Sequence, residues 1–200
     1  MDTFEAINSR RSIKNFDKTH KITKNEIIKL IEFAILSPTS YNIQNWRFVI
    51  VTEQDLKDKL SELSHGQKQV SESSLVIILC ADLKSWNKNP ERYWINIPEE
   101  PRKAIVVSMR NSYDGKSELQ RDEAMRSCGM AAQTIMLAAK SMGYDTCPMK
   151  GFDYDGVGKL IHLPDDHMIS MMVVVGKATK PASSRGGQLQ LSEIMFENSF

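Results

Sequence analysis

The stretch LVIILCA, residues 75–81, is continuously apolar. A run of this length without a polar side is typical of a strand that is buried on both faces. Residues 169–175, ISMMVVV, have almost the same character. These two strands leave no face for solvent, so the sequence predicts a sheet that other elements cover.

Predicted helices and further strands accompany these two strands along the chain. Thr23-Lys24-Asn25-Glu26 has the pattern of a capping box, apolar residues follow it at helical spacing, and Ser37-Pro38 ends the helix. The other elements predicted from pattern are a short helical segment at 4–9, strands at 46–52 and 145–149, and helices at 53–64, about 118–142 and 157–161. Residues 84–115 show no clean period and are predicted to be irregular, with some helix near 105–110. Strands that alternate with helices favour an α/β or α+β sandwich with a mixed sheet.

The composition of the 200-residue chain argues against several classes of function. It has 26 Lys and Arg against 25 Asp and Glu, so its net charge of +1 favours neither nucleic acid nor an anionic membrane as a partner. No stretch reaches the roughly 18 apolar residues of a membrane span, and residues 1–5 lack the pattern of a signal peptide. We therefore expect one cytoplasmic domain over residues 1–200, without membrane contact.

Motifs for other common cofactors and catalysts are absent from the sequence. It contains no GxGxxG, no P-loop, no serine elbow and no CxxC. The three cysteines, Cys80, Cys128 and Cys147, stand among apolar neighbours and are expected to be buried free thiols in a reducing compartment. The four histidines are scattered, so we expect them at the surface and predict no metal site.

A basic run, Ser9-Arg10-Arg11-Ser12-Ile13-Lys14, follows the first helical segment. It offers three cations and two hydroxyls within six residues, which suits a phosphate or a carboxylate because guanidinium groups bind such anions through two hydrogen bonds. A basic helix end that favours its own dipole would have the same sequence. Spacing alone leaves both interpretations open.

A polar loop, residues 37–48 (SPTSYNIQNWRF), leads into a predicted strand. Its amides and hydroxyls could line the edge of a heteroaromatic ring. The same residue types between a helix and a strand are common in ordinary turns. The loop by itself therefore leaves a ligand site and a structural turn as alternatives.

Together the two segments resemble the N-terminal half of the nitroreductase family, in which a run like RRSxKxF precedes SPSSxNxQPW. The likeness continues in residues 147–153 (CPMKGFD), in 173–177 (VVVGK) and in Ser184-Arg185. The resemblance implies an α+β fold, a three-layer α/β/α sandwich whose mixed, mainly antiparallel central sheet is surrounded by helices. It also implies an FMN cofactor held at the interface of a homodimer, with residues of both subunits around each flavin.

The resemblance assigns roles to particular residues. Arg10 and Arg185 correspond to phosphate-binding arginines, and Ser12 and Lys14 to partners of the phosphate, the ribityl chain and the polar edge of the flavin. Arg11 of the basic run is also assigned to the cofactor site. The interface loop contributes Pro38, Thr39, Ser40 and Asn42, and the segment beside the flavin ring contributes Met149, Lys150 and Gly151. Gln67 and Gln69 correspond to a polar pair near the pyrimidine or the ribityl chain. Four aromatic residues are predicted for the substrate pocket: Tyr41, Trp86, Trp94 and Tyr113.

Three positions depart from the family pattern. Asn45 stands where proline usually precedes the tryptophan, which affects loop stiffness. Ser183 stands where some relatives carry a second phosphate-binding lysine, so Lys177 or Lys180 is expected to substitute, or the phosphate to be held less tightly. Lys150 stands where several relatives have glutamate, and its charge would favour anionic reduced flavin if the side chain points inward.

The resemblance implies an NAD(P)H-dependent oxidoreductase in which the flavin carries the chemistry and no catalytic side chain is required. A nicotinamide would reduce the flavin and leave, and an electron-poor acceptor such as a nitroaromatic or a quinone would replace it in a ping-pong reaction. The alternatives are a flavin or enone reductase or a dehalogenase-like relative on the same fold, and a non-catalytic flavin-holding redox protein. The tail, about residues 180–200, ends in apolar residues and is predicted to pack on the partner subunit.

Overall fold

The computed structural model describes all residues, 1–200. Eight α-helices and four strands follow one another along the chain: α1 Thr3–Ser9, α2 Lys24–Ala34, β1 Trp46–Val51, α3 Gln54–Leu63, α4 Lys68–Glu72, β2 Leu75–Asp82, α5 Glu99–Tyr113, α6 Ser117–Ser141, β3 Asp145–Met149, α7 Tyr154–Leu160, β4 His167–Gly176 and α8 Leu191–Ile194. Single 3₁₀ turns lie at Ser40–Asn42 and Pro90–Trp94.

The four strands form one sheet in the order β1-β2-β4-β3. All three strand pairs are antiparallel, and the one parallel feature is an isolated bridge between Ser12 and Thr146 at the outer side of β3. This confirms the mainly antiparallel sheet. Strands β2 and β4 are central, which explains their continuous apolar sequence: every residue of β2 is buried, because both of its faces are covered.

Each face of the sheet has its own core, which gives three layers. On one face, alternate β2 residues such as Ile77 and Leu79 pack with α2 and α6. On the other face, Val76 and Ile78 pack with α3, α4 and α7. The period-2 alternation along β2 sends successive side chains to opposite cores. The observed α+β, α/β/α arrangement is the fold that the sequence resemblance implied.

The basic run reaches the sheet because the chain after α1 lies along β3. The backbone N–H of Ile13 donates to the carbonyl of Thr146 at 3.0 Å, and the N–H of Asp17 donates to Lys177 at 2.8 Å. The side chains of Ile13 and Phe16 are buried in the second core. The intervening polar residues, Ser12 and Lys14, are exposed. Alternation along this short extended segment therefore presents the predicted anion-binding residues to solvent.

The prediction for residues 84–115 was partly right: the helix expected near 105–110 is present, but it begins earlier and ends later than expected. Residues Glu99–Tyr113 form the fifteen-residue helix α5. Its buried residues, Val106, Met109 and Tyr113, recur at helical spacing but are confined to the C-terminal half. That is why the sequence pattern was weak. No helix of the protein combines the length and the apolar character needed to cross a membrane.

Candidate flavin site

Four cationic side chains line one open surface cavity of about 340 Å³ beside the end of α1. They are Arg10, Arg11, Lys14 and Arg185. The remaining lining residues are small or polar, with no acidic and no apolar residue among them: Ser12, Ser183, Ser184, Gly186 and Gln188. Cations gathered without a carboxylate repel one another, so this arrangement is favourable only where an anion is bound.

Backbone carbonyl groups orient two of these guanidinium groups. Arg11 donates to the carbonyl of Ser183. Arg185 donates to the carbonyls of Asn8, at 2.8 Å, and Arg10, at 3.3 Å. These bonds fasten the segment after β4 to the end of α1 and bring positions 175 residues apart in sequence into one site. They leave the positive charges uncompensated, as an anion site requires.

The segment after β3 forms a second polar group. Gln67 donates to the carbonyl of Gly151 at 2.9 Å, and Gln69 donates to the side-chain oxygen of Gln67 at 2.7 Å. The N–H of Gly151 has no hydrogen-bond partner within the chain. Lys150 is exposed, whereas Met149 is buried. The structure thus brings the predicted glutamine pair and the predicted ring-side segment together, and leaves a backbone donor free there.

A residue of α6 helps to hold the polar loop between α2 and β1. The N–H of Ser40 donates to Oε1 of Glu123, a residue that is 3% exposed, at 3.0 Å. Thr39 Oγ1 accepts from the N–H of Gln44 at 3.0 Å, and Asn42 donates to the carbonyl of Tyr93 at 2.9 Å. Pro38 is exposed at the loop's start. No hydrogen bond joins this loop to the cationic cavity within one chain.

All four predicted pocket aromatics lie in or against one small core. Trp86 and Tyr113 are only 6% and 3% exposed, and they pack with Ile43 and Met109. Tyr41 and Trp94 are partly buried against this cluster. Trp86 and Tyr113 therefore have a packing role beneath the surface. Of the four aromatics, Tyr41 and Trp94 retain surface that a ligand could contact.

The suggestion that Lys177 replaces the missing lysine at position 183 was wrong. Its ammonium group donates to the carbonyl of Gly143 at 2.5 Å and lies 3.9 Å from the centre of the Tyr144 ring. It is absent from the lining of the cationic cavity, and so is Lys180. Arg11 and Lys14, already in the basic run, supply the additional charge that Ser183 lacks.

Sequence reasoning missed three residues that support the loop. Glu123 was hidden in the polar N-terminal part of a long helix, where a carboxylate is ordinarily exposed. Ser108 and Ser112 lie in the segment that gave no clear pattern. A serine pair at i and i+4 on a helix is a weak signal by itself, because only the fold shows that the Tyr41 side chain of the loop reaches both serines.

A cluster of Asp82, Asp166 and His167 has the spacing of a metal site. Lys88 is bound there instead, with its ammonium nitrogen 2.9 Å from Asp82 and 2.6 Å from Asp166. The hydrogen bonds from Lys88 and, to a smaller extent, His167 hold the pKa of Asp166 below its usual range. Burial lowers the pKa of Lys88, but its bonds to Asp166 and Asp82 outweigh that effect and raise it. The cluster fastens the chain after β2 to the start of β4.

Comparison with known proteins agrees with this geometry. The model of the nitroreductase family matches residues 7–177. The chain belongs to the nitroreductase family. Protein DrgA from Synechocystis is 47% identical, over 98% of this chain and 95% of its own length. An oxygen-insensitive NADPH nitroreductase from Helicobacter acinonychis is 32% identical, over 90% of each chain.

Among solved structures, a candidate nitroreductase from Exiguobacterium sibiricum in complex with FMN superposes with a TM-score of 0.91. It is 29% identical, over 98% of this chain and 97% of its own. The chain spans nearly the full length of these nitroreductase-family relatives, so the likeness includes both the basic run and the segment after β4.

Proposed function

We propose that this nitroreductase-family protein is an FMN-dependent oxidoreductase that takes electrons from NAD(P)H and passes them to small electron-poor acceptors. The observation that carries the proposal is the cavity lined by Arg10, Arg11, Lys14 and Arg185 without an acidic residue. A phosphate monoester with two negative charges would relieve the repulsion among these cations. The Helicobacter relative is named for NADPH and the Exiguobacterium structure for FMN, which supports both halves of the proposal.

The residues around the cavity fit the phosphate end of the cofactor. The guanidinium groups of Arg10 and Arg185 would bind phosphate oxygens, and the Ser12 hydroxyl and Lys14 would hold the phosphate and the start of the ribityl chain. The serines at 183 and 184 can add hydroxyl donors without bulk. Arg11 would have two roles. It holds the segment after β4 through its bond to the Ser183 carbonyl, and it adds positive charge to the cavity.

The segment after β3 fits the polar part of the flavin ring. Gln67 binds the Gly151 carbonyl and is itself held by Gln69. These bonds fix the segment at Gly151, whose N–H has no partner within the chain. FMN, when bound, supplies the hydride acceptor and donor atom N5, and a backbone N–H at that atom would position the ring. Lys150 would place a positive charge beside it, which favours anionic reduced flavin.

We further propose that the protein acts as a homodimer. Within one chain the Pro38–Asn42 loop has no hydrogen bond to the cationic cavity, which agrees with a flavin that is held by one subunit and contacted by the loop of the other. Six large apolar side chains of the tail are between 52% and 104% exposed: Leu189, Leu191, Ile194, Met195, Phe196 and Phe200. Burying them against a partner would be strongly favourable.

We propose that reduction proceeds in two half-reactions at one pocket, to which Tyr41 and Trp94 would contribute their exposed surface. We propose nitroaromatics and quinones as the acceptors, because flat electron-poor rings could occupy the same pocket as a nicotinamide. A flavin-holding redox protein would share the cavity but would show no rapid exchange of electrons with an added acceptor.

The purified protein tests this proposal directly. We expect a yellow protein, or one that binds added FMN stoichiometrically. Under anaerobic conditions NADH or NADPH should bleach the flavin, and a second mixing with 1,4-benzoquinone or nitrofurazone should restore its colour. A colourless protein that binds no FMN would contradict the cofactor assignment. Bound FMN that neither pyridine nucleotide reduces would contradict the enzymatic function and favour a flavin-holding protein.

A further inference from the structure

The loop between α2 and β1 has a backbone that its own sequence does not favour. Tyr41, Asn42 and Gln44 have φ angles of 50°, 51° and 42°, in the left-handed region that side chains other than glycine rarely adopt. Conformations of this kind persist where surrounding contacts hold them, and they concentrate at functional sites. The contacts of this loop therefore decide its shape.

One group of these contacts is made by the Tyr41 hydroxyl. Its oxygen lies 3.1 Å from the hydroxyl oxygen of Ser108 and 3.0 Å from that of Ser112. Ser112 donates its own proton to the carbonyl of Ser108 at 2.9 Å. Tyr41 consequently donates to Ser112 and accepts from Ser108. The two serines are one helical turn apart, so they face the loop together.

Helix α5 has few other attachments to the rest of the protein. None of the residues of its N-terminal half, 99–105, is buried. Its C-terminal half is held by the small core of Met109 and Tyr113 with Ile43 and Trp86, and by a bond from Gln120 to the Tyr113 carbonyl at 2.7 Å. From the loop, the Tyr41 hydroxyl adds two hydrogen bonds to side chains of this helix.

We propose that Tyr41 determines which acceptors the enzyme accepts, by fastening α5 to the loop through Ser108 and Ser112. The inference rests on the proposed function, since it concerns the pocket over the flavin that the Pro38–Asn42 loop borders. With the hydroxyl bonds intact, α5 stays against the loop and small flat acceptors are favoured over large ones. A larger acceptor requires α5 to move away, and the two bonds oppose that movement.

The test compares a one-ring with a three-ring acceptor, 1,4-benzoquinone and anthraquinone-2-sulfonate. In Tyr41→Phe, which keeps the ring and loses the hydroxyl, the ratio of kcat/KM for the large acceptor to that for the small one should rise on the order of tenfold, the effect expected for losing a pair of neutral hydrogen bonds. The change should lie mainly in KM for the large acceptor. FMN content should not change.

Two further variants separate this role from a general loss of stability. Ser108→Ala/Ser112→Ala keeps Tyr41 and removes its partners, so it should reproduce the altered ratio. Tyr144→Phe is the matched control: it also loses a buried tyrosine hydrogen bond, to Glu26 at 2.9 Å, but far from the loop, and should leave the ratio at the wild-type value. An unchanged ratio in both Tyr41→Phe and the serine variant would overturn the proposal.

Hydrogen exchange gives a readout that does not depend on activity. Amides of α5 should exchange faster in Tyr41→Phe and in the serine variant, while those of α6 should keep their protection. Unchanged amide hydrogen exchange of α5 in both variants would contradict the proposal that Tyr41 holds α5 against the loop. If wild type binds FMN but reduces neither quinone, the proposed function fails by itself, whereas the exchange experiment still decides whether the fastening exists.

Discussion

At the scale of single residues, the arginines of the cationic cavity carry most of the functional argument. Arg10 and Arg185 lie in the same cavity although 175 positions separate them. A hydrogen bond to a charged group contributes about 1.5–3 kcal/mol, which corresponds to roughly a 10- to 100-fold change in affinity. Each arginine should therefore affect the binding of FMN measurably.

We expect Arg10→Ala and Arg185→Ala each to weaken FMN binding by about tenfold or more, since each removes a charge-assisted bond to the phosphate. Calorimetric titration of the apoprotein with FMN measures this effect. Riboflavin, which lacks the phosphate, should bind wild type and variants with similar affinity. Arg121→Ala is the control, because Arg121 is exposed and pairs only with its neighbour Asp122. Unaltered FMN affinity in both cavity variants would remove the phosphate assignment.

The cysteines are predicted to be chemically silent in the native protein. Cys80, Cys128 and Cys147 are each no more than 1% exposed. Burial raises the pKa of Cys80 to about 11 and that of Cys128 to about 12, so almost no thiolate is present near neutral pH. Ellman's reagent at about pH 8 should label no thiol in the folded protein and all three after denaturation. Rapid labelling without denaturant would contradict the buried positions.

At the scale of elements, the capping box at the start of α2 can be tested. Thr23 Oγ1 accepts from the N–H of Glu26 at 3.3 Å, and Glu26 accepts from the Thr23 N–H at 2.9 Å. Hydrogen bonds from the Thr23 side chain, the Thr23 backbone and Tyr144 hold the pKa of Glu26 below 4.5. Because the folded-state pKa is lowered, this stabilisation is present above about pH 4.5 and disappears as the pH falls through the folded-state value.

Thr23→Ala should accordingly lower the free energy of unfolding by about 1 kcal/mol near pH 7, the usual effect of losing an N-cap. The difference from wild type should shrink as the pH falls through the lowered folded-state pKa of Glu26, because the protonated carboxyl no longer accepts these bonds. Urea unfolding at a series of pH values measures both. Thr52→Ala, at an exposed threonine outside any helix cap, should have little effect at any pH. A pH-independent difference would show that Glu26 takes no part in the cap.

At the scale of the whole molecule, the tail is the feature that a single chain leaves unexplained. Residues 183–200 are exposed throughout, although Leu191, Ile194 and Phe196 are apolar. If a partner subunit covers them, deleting residues 188–200 should raise the dimer dissociation constant at least tenfold and lower the FMN content. Sedimentation velocity over a range of concentrations measures the first effect. A wild-type protein that sediments as a monomer at every concentration would contradict the dimer.

The sequence anticipated the sheet and most of the helices because their signals are local. Residues 75–81 and 169–175 have no polar face, and the capping box and Ser37-Pro38 bound α2 within the chain itself. The start of α5 was missed because residues 99–105 bury nothing, so no apolar stripe records that the segment is helical. Helix periodicity is visible in a sequence only where one face packs against something.

For the site, the sequence by itself determined the kinds of groups present: the arginines and serines of the basic run, the amide loop and the glutamine pair. Only the tertiary structure decided which of them meet. It joined Arg185 to Arg10, assigned Lys177 to Gly143 and Tyr144, and placed Ser108 and Ser112 on Tyr41. Those pairings join positions that are far apart in the chain, by as much as 175 residues. Because folding brings such positions together through the sheet and its two cores, no local spacing in the chain can encode them.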